Sequence, residues 1–410
     1  MSLKEADAIL QRCDELAAIS SRTDGVERVY LSPEHARANK VTAQWMVDAG
    51  MSTWTDAAGN QCGRYEGTLP AAPALLLGSH LDTVPDAGRF DGILGVVLAI
   101  GVVNRLHQAG RRLPFAVEVL AFGDEEGTRF GTALLGSRAV AGTWDQGWWQ
   151  LKDAAGTTLV EAFEAFGLDP SKVGDAARCP DRVVGYLEAH IEQGPYLEEA
   201  DRALGVVSSI AGARRFQLSL TGEAGHAGGV PFHRRRDALA GAAEAVLAVE
   251  RLAMASPGRI ATVGQLHAYP GAVNVIPGRV EFSLDLRAEF DADRDRVWAE
   301  IQQAVRETCG RRRLTFDSRQ THSASAVVAA PKLRSVVAAG IQATGDSEPM
   351  VLFSKAGHDA MAIADLCDFG MLFIRCEGGV SHHPAEAVTR ADVRTALDAL
   401  EASVLALAAR

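Results

Sequence analysis

Apolar positions along this chain recur at three spacings, and each spacing predicts an element. Across 3–18 and 33–49 they return every three or four residues, the period of an amphipathic helix. Residues 74–77 form an unbroken apolar run too short for a helix, which predicts a fully buried strand and sets His80 just past its carboxyl end. Gly78, Pro85, Gly88 and Gly92 punctuate the loop that follows, and 93–106 reads as a buried helix closed by Gly110. Residues 115–122 form a second strong strand, 54–67 a meander turning at Gly59-Asn60, and 184–191 another strand or buried segment. Strand, helix, strand in this order implies a right-handed parallel crossover, so the loops after 77 and after 122 share one sheet edge. Residues 142–182 read as an excursion of short helices in which Trp144, Trp148 and Trp149 serve packing.

Near Ser208 the period changes to two. Phe216, Leu218 and Leu220 share one face of a strand, and Val280, Phe282, Leu284 and Leu286 share one face of another, opposite Glu281, Ser283, Asp285 and Arg287. Two amphipathic helices, 237–253 and 293–308, and strands near 260–266 and 314 complete a strand-helix-strand-strand-helix-strand unit. Parallel-sheet character returns from Pro331, with a helix at 333–344, strands at 350–353 and 371–375, and a last helix begun by the Thr389/Asp392 capping pair. The expected fold is therefore α/β, a mostly parallel-sheet catalytic domain with an inserted α+β (ferredoxin-like) domain. The expected boundaries are 1–209, 210–328 and 329–410. The exposed edge of the inserted sheet invites homodimerisation.

Composition adds bounds rather than identity. A chain of 410 residues that is 47% hydrophobic has material for more than one core. The charge of -11 is spread along the chain with no basic stripe beyond Arg234–Arg236 and Arg311–Arg313, which argues against nucleic acid. Six scattered cysteines without a CxxC pair point to a reducing compartment. The amino terminus lacks the apolar core of a signal peptide, and no apolar run is long enough to span a membrane, so a cytoplasmic protein with no membrane partner is expected.

Candidate chemistry gathers on the shared sheet edge. His80 offers one imidazole nitrogen to a divalent cation while the other needs an acceptor, for which Asp82 is placed two residues on. Asp91 has two carboxylate oxygens and can bridge two ions roughly 3.5–4 Å apart. An isolated Glu125-Glu126 would be a solvated acidic turn. At a strand end beside His80 and Asp91, one carboxylate is better neutralised by a metal while the other becomes a proton shuttle near neutral pH. His190 closes the 184–191 segment and becomes a ligand candidate by the same placement.

With these pieces the sequence resembles the dinuclear-metal amidohydrolases of the M20 peptidase superfamily. Within it, the resemblance is to the hydantoinase/carbamoylase group: N-carbamoyl-L-amino acid hydrolases, allantoate amidohydrolases and β-ureidopropionases. The motifs are GSHLDT at 78–83, FDG at 90–92, DEEG at 124–127, EAHIEQG at 188–194, GHAGGVP at 225–231, VNVIPG at 273–278, LDLR at 284–287, AGHDA at 356–360 and SHHPAE at 381–386. The resemblance implies two divalent ions (Zn, Mn, Co or Ni), one held by His80, Asp91 and His190, the other by Asp91, Glu126 and His382. It implies Glu125 as general base, with Asp82 beside it, and His226 as the group that reaches across a homodimer to stabilise an oxyanion. Arg287 is implied to hold the substrate carboxylate, with Asn274 and Gln193 as polar partners and His358, Ala356 and Gly357 lining the pocket. The inserted domain is then a lid and dimerisation domain.

The implied reaction is hydrolysis of the terminal C–N bond of a ureido group on a small carboxylate, releasing ammonia, carbon dioxide and an L-amino acid. Allantoate or ureidoglycolate hydrolysis uses the same residues. His190 stands where exopeptidase relatives usually carry a carboxylate, which disfavours an aminoacylase or dipeptidase. A silent binding protein for ureido acids would need a lost ligand or base, and none is missing. Lys355, His383, Gly225 and Gly229 depart from the group's usual residues, so the side pocket is expected to be altered. His233 and Arg234–Arg236 read as solvated loop charge, and His35, His107, His267 and His322 belong to no motif.

Overall fold

The short apolar runs at 74–77, 115–122, 184–191, 350–353 and 371–375 become strands of one sheet in the computed structural model, which describes residues 3–255 and 257–410. The sheet order is Ser52–Thr55, Gln61–Tyr65, Ala116–Phe122, Ala74–His80, Val183–Ile191, Phe369–Ile374, Leu204–Ile210 and Val327–Val328, with Met350–Ser354 also on Leu204–Ile210. The four strands from Ala116–Phe122 to Phe369–Ile374 pair in parallel, and Ser52–Thr55 and Gln61–Tyr65 on one side and Leu204–Ile210 and Val327–Val328 on the other join antiparallel. Register decides what reaches the edge. Leu77 pairs with Leu187, so His80 and His190, each three residues further on, arrive at the same level. His80 is the last residue of its strand rather than the first beyond it, because the ladder continues through a pairing with Phe122.

Two compact units divide the chain. One comprises the residues up to Ser208 with Ala329–Leu352 and Gly357–Arg410, the other Ser209–Val328 with Phe353–Ala356. In the first, the helix Ile93–Gln108 is apolar all round because it is buried all round: Ile93, Leu94, Val96, Val97, Leu98 and Ile100 are fully inaccessible. Full burial of each such side chain contributes about 1.5–3 kcal/mol. Leu3–Ala17 and Arg390–Ala408 pack against it, and Pro331–Gln342 against Arg390–Ala408. A separate cluster of Tyr30, Leu135, Leu159 and Phe163 takes Trp144, Trp148 and Trp149 onto it.

In the second unit Arg279–Ala288 alternates buried and partly exposed positions over its length. Its sheet runs Leu266–Tyr269, Arg279–Ala288, Gly212–Thr221, Thr315–Ala324, all antiparallel, with Arg259–Thr262 also on Arg279–Ala288. The single strand expected near 260–266 is thus two. They part where Ser283 accepts the Gln265 N–H on its hydroxyl and donates its own N–H to the Gln265 carbonyl. Helices Ala238–Met254 and Asp291–Arg312 bury Ala242, Ala245, Val249, Val297, Ile301 and Val305 in one core with the sheet. No described helix is long and apolar enough to cross a membrane.

Candidate metal centre

Six side chains from five separate stretches of the first unit converge at the carboxyl ends of its parallel strands, the usual place for chemistry in such sheets. His80 and His190 end or nearly end their strands. Glu125 and Glu126 occupy the turn after Ala116–Phe122, Asp91 precedes the helix Ile93–Gln108, and His382 lies in the loop after Phe369–Ile374. Gly92 makes the approach of Asp91 to His80 feasible: its φ is +70°, and a Cβ there would sit 2.4 Å from the His80 ring. Three non-glycine residues with left-handed backbone, Asp124 (φ 66°), Gln193 (φ 58°) and His382 (φ 54°), border the same centre. Such strain costs of order 1–3 kcal/mol each and collects at functional sites.

Asp91 divides the cluster. Its Oδ1 lies 3.1 Å from His190 Nε2 and 3.7 Å from His80 Nε2, while its Oδ2 lies 3.1 Å from His382 Nε2. His382 Nε2 is also 3.3 Å from Glu126 Oε1, and His80 Nε2 is 4.0 Å from Glu125 Oε2. His80, Asp91 and His190 can each offer one ligand atom, with all three atoms within 4.8 Å of one another, and the same holds for Asp91, Glu126 and His382. Imidazole and carboxylate donors in these sets suit zinc and its first-row neighbours.

The far side of each ring fits a cation as well. His80 Nδ1 is 3.0 Å from the Asp82 carbonyl and His190 Nδ1 2.9 Å from the Ile191 carbonyl, so Nδ1 donates and Nε2 faces Asp91. The Asp82 acceptor is its backbone oxygen, with the carboxylate farther off at 3.7 Å. That carboxylate accepts the N–H groups of Glu125 (3.0 Å) and Glu126 (3.1 Å) and so fixes the turn that carries both.

Electrostatics point the same way. Burial alone would raise Asp91, but hydrogen bonds from His190, His382 and His80 hold it well below the usual carboxylate range. Burial opposes a charge on His80 and His190, yet Asp91 and nearby carboxylates raise both, and Asp91 with Glu126 pushes His382 up to about 10. Buried carboxylates here demand positive charge, from protonated imidazoles or from cations. Burial first, then Glu126, Asp359 and Asp82, hold Glu125 well above the ordinary range against the opposing pull of His80, which raises its affinity for a proton.

Of the expected substrate contacts in this unit, Gln193 Nε2 donates to Asp91 Oδ2 (2.9 Å) and to Ser381 Oγ (3.2 Å). Gln193 Oε1 is buried without a partner among the described residues. His358 is buried 4.4 Å from the His190 ring, and burial holds it well below its usual range, hence neutral. Gly357 backs onto Glu125, since a Cβ there would lie 3.6 Å from Glu125 Oε1.

The other expected residues lie in the second unit. His226 pairs with Val275, and the Ala227 N–H donates to the Asn274 carbonyl, so His226 and Asn274 are neighbours. The N–H groups of Gly228 (3.1 Å) and Gly229 (3.0 Å) both donate to His226 Nδ1, which must therefore be bare, leaving Nε2 as the exposed N–H donor. Arg287 gives Nε (2.8 Å) and Nη2 (3.2 Å) to Asp285, and Nη1 to the Lys355 carbonyl (2.7 Å). Ala356 exchanges hydrogen bonds with the Ser354 hydroxyl.

Sequence reading missed two buried carboxylates that hold the ligands in place. Glu386 accepts the N–H groups of Phe90 (2.8 Å) and Asp91 (3.1 Å) on Oε1, and the Ser381 hydroxyl (3.0 Å) on Oε2. Glu188 takes the Ser79 hydroxyl (3.0 Å) and the Ala360 N–H (3.2 Å). Their signal was a carboxylate inside an apolar strand and another four residues after a candidate ligand.

Comparison with known proteins follows the same direction. A family model described as Peptidase family M20/M25/M40 matches residues 76–406. A probable allantoate deiminase of Oryza sativa subsp. japonica is 42% identical over 420 residues, covering 94% of this chain and 85% of that protein. An N-carbamoyl-L-amino acid amidohydrolase of Geobacillus stearothermophilus is 39% identical over 405 residues, covering 98% and 99%. Among solved structures, an amidase of the hydantoinase/carbamoylase family from Burkholderia multivorans superposes with a TM-score of 0.91 at 31% identity, over 99% of this chain and 98% of that one.

Proposed function

This chain belongs to the peptidase family M20/M25/M40, and from that premise we propose that it is a metal-dependent amidohydrolase that cleaves the C–N bond of the carbamoyl group of N-carbamoyl-L-amino acids, giving the L-amino acid, ammonia and CO2. The observation that carries the reading is the division of Asp91, one oxygen toward His80 and His190 and the other toward His382, with Glu125 buried alongside. His80, Asp91 and His190 would hold one divalent ion and Asp91, Glu126 and His382 a second, which when bound polarise the carbamoyl oxygen and acidify water.

The protein's own groups do the rest. Glu125 removes the proton from the attacking water and returns it to the leaving nitrogen, a use that its raised proton affinity favours. Asp82 holds the Glu125 N–H and so aims that carboxylate. His226 presents Nε2–H to the oxyanion, an orientation supported by the two glycine N–H groups on Nδ1. Arg287 keeps two further N–H groups beyond its bonds to Asp285 and Lys355 for a substrate carboxylate, and Asn274, Gln193, His358, Ala356 and Gly357 are the further substrate contacts of this reading. Homodimerisation through the second unit is supported by exposed apolar residues on one helix, Leu247 and Met254, and by Leu266 on an outer strand. A cytoplasmic location belongs to the same reading.

Allantoate is the second substrate reading, favoured by the 42% identity to a probable allantoate deiminase. Ammonia release from a panel of N-carbamoyl-L-amino acids, allantoate and ureidoglycolate decides between them. The proposal expects kcat/KM for the best carbamoyl amino acid to exceed that for allantoate at least about tenfold, a gap of about 1.4 kcal/mol in transition-state binding. The reverse order transfers the assignment to allantoate, and no ammonia from any substrate refutes the hydrolase reading.

A further inference from the structure

The arginines that follow His226 have no part in the chemistry above, and their surroundings are unusual for so many cations. Arg234, Arg235, Arg236 and Arg313 line one concavity of about 350 Å³ in the second unit, with Glu223 and Val230 on its walls. That volume falls at the small end of ligand pockets, about 300–1,000 Å³. Among the described residues, one carboxylate pairs with these guanidinium groups. Glu223 Oε2 is 4.0 Å from Arg236 Nη1 with its side chain 72% exposed, so water screens the pair.

The remaining bonds go to neutral acceptors. Arg235 donates from Nε to the Val230 carbonyl (3.0 Å) and from Nη2 to that of Ala227. Arg236 Nε donates to the Arg313 carbonyl (2.7 Å), and Arg313 Nη2 to the His233 carbonyl (2.7 Å). Carbonyls orient a guanidinium without cancelling its charge. The Arg234 side chain is exposed, and its guanidinium has neither a hydrogen bond nor an ion pair among the described residues. In a chain with a net charge of -11, this is a local positive excess held in shape by backbone.

We infer that this pocket binds a compact oxyanion of two or more negative charges, of the phosphate class, between Arg234, Arg236 and Arg313. Planar guanidinium forks match phosphate oxygens two at a time, and a dianion answers more of the uncompensated charge than a monocarboxylate does. Arg235 joins the pocket wall to the 227–230 loop, so an occupant would also brace the loop that carries His226. That consequence rests on the role proposed for His226, whereas the binding itself does not.

The test titrates the metal-loaded protein with inorganic phosphate by calorimetry and follows hydrogen exchange across 227–230. Wild type is expected to bind phosphate with slowed exchange at Gly228 and Gly229. Arg234→Ala should weaken that binding about tenfold, the loss expected for one charge-assisted contact, and remove the slowing. Arg234→Lys should restore part of both, with metal content unchanged throughout. Phosphate taken up by the metal centre alone would bind Arg234→Ala as tightly as wild type without slowing 227–230, and that result overturns the proposal, as does no binding at all. Failure of the hydrolase reading would show instead as no ammonia release and leave these readouts intact.

Discussion

Asp91 is the residue whose atoms matter most, because two sets of neighbours meet different oxygens of one carboxylate. Glu125 is the one whose environment matters most. It is buried, unusually proton-loving and 4.0 Å from His80 Nε2. Replacing it by Gln keeps the shape and removes the basicity. Glu125→Gln is expected to retain bound metal and to lower kcat by about 10²–10⁴-fold, the range for a lost general acid-base group. Steady-state kinetics beside elemental analysis checks this, and near-native turnover would remove Glu125 from the mechanism. At this scale the sequence showed residue types but not atoms. His80 and Asp82 stand two apart whether the imidazole meets a carboxylate or a carbonyl, and only the folded loop sends the Asp82 side chain to Glu125 and Glu126 instead.

Elements were legible where hydrophobic periodicity was strong. The strands expected at 74–77, 115–122 and 280–286 and the helix expected at 93–106 carry strong patterns and form as Ala74–His80, Ala116–Phe122, Arg279–Ala288 and Ile93–Gln108. Boundaries and partnerships were less so. Thr389 does cap the last helix by accepting the Asp392 N–H, but the Asp392 carboxylate turns to Arg375 rather than completing a reciprocal cap. Glu386 illustrates what periodicity cannot reveal, since it ties the 90–91 loop to the 381–386 loop across 295 or more positions of sequence. Glu386→Ala strands two buried N–H groups at about 1–3 kcal/mol each. It should lower the melting temperature and weaken metal affinity about 10–100-fold, as loss of a supporting partner does. Melting curves with a competitive chelator titration would measure both, and unchanged metal affinity would show that the loops keep their places without it.

For the whole molecule, the sequence shows a switch in period near Ser208 and a return of parallel-sheet character after Pro331, and the chain passes between its two compact units after Ser208 and again at Ala329. The convergence of His80, Asp91, Glu126, His190 and His382 was expected only after separate motifs were assigned to one sheet edge, since each histidine alone is an ordinary core or loop residue. The claim on which the account depends is that these five side chains bind two ions that share Asp91. Elemental analysis of metal bound per chain, after dialysis against free metal, tests it most directly. The account predicts two ions in wild type, one in His382→Ala, one in His190→Ala and none in Asp91→Ala, with each variant folded by circular dichroism. A wild-type protein that binds no ion, or an Asp91→Ala variant that keeps two, would contradict it.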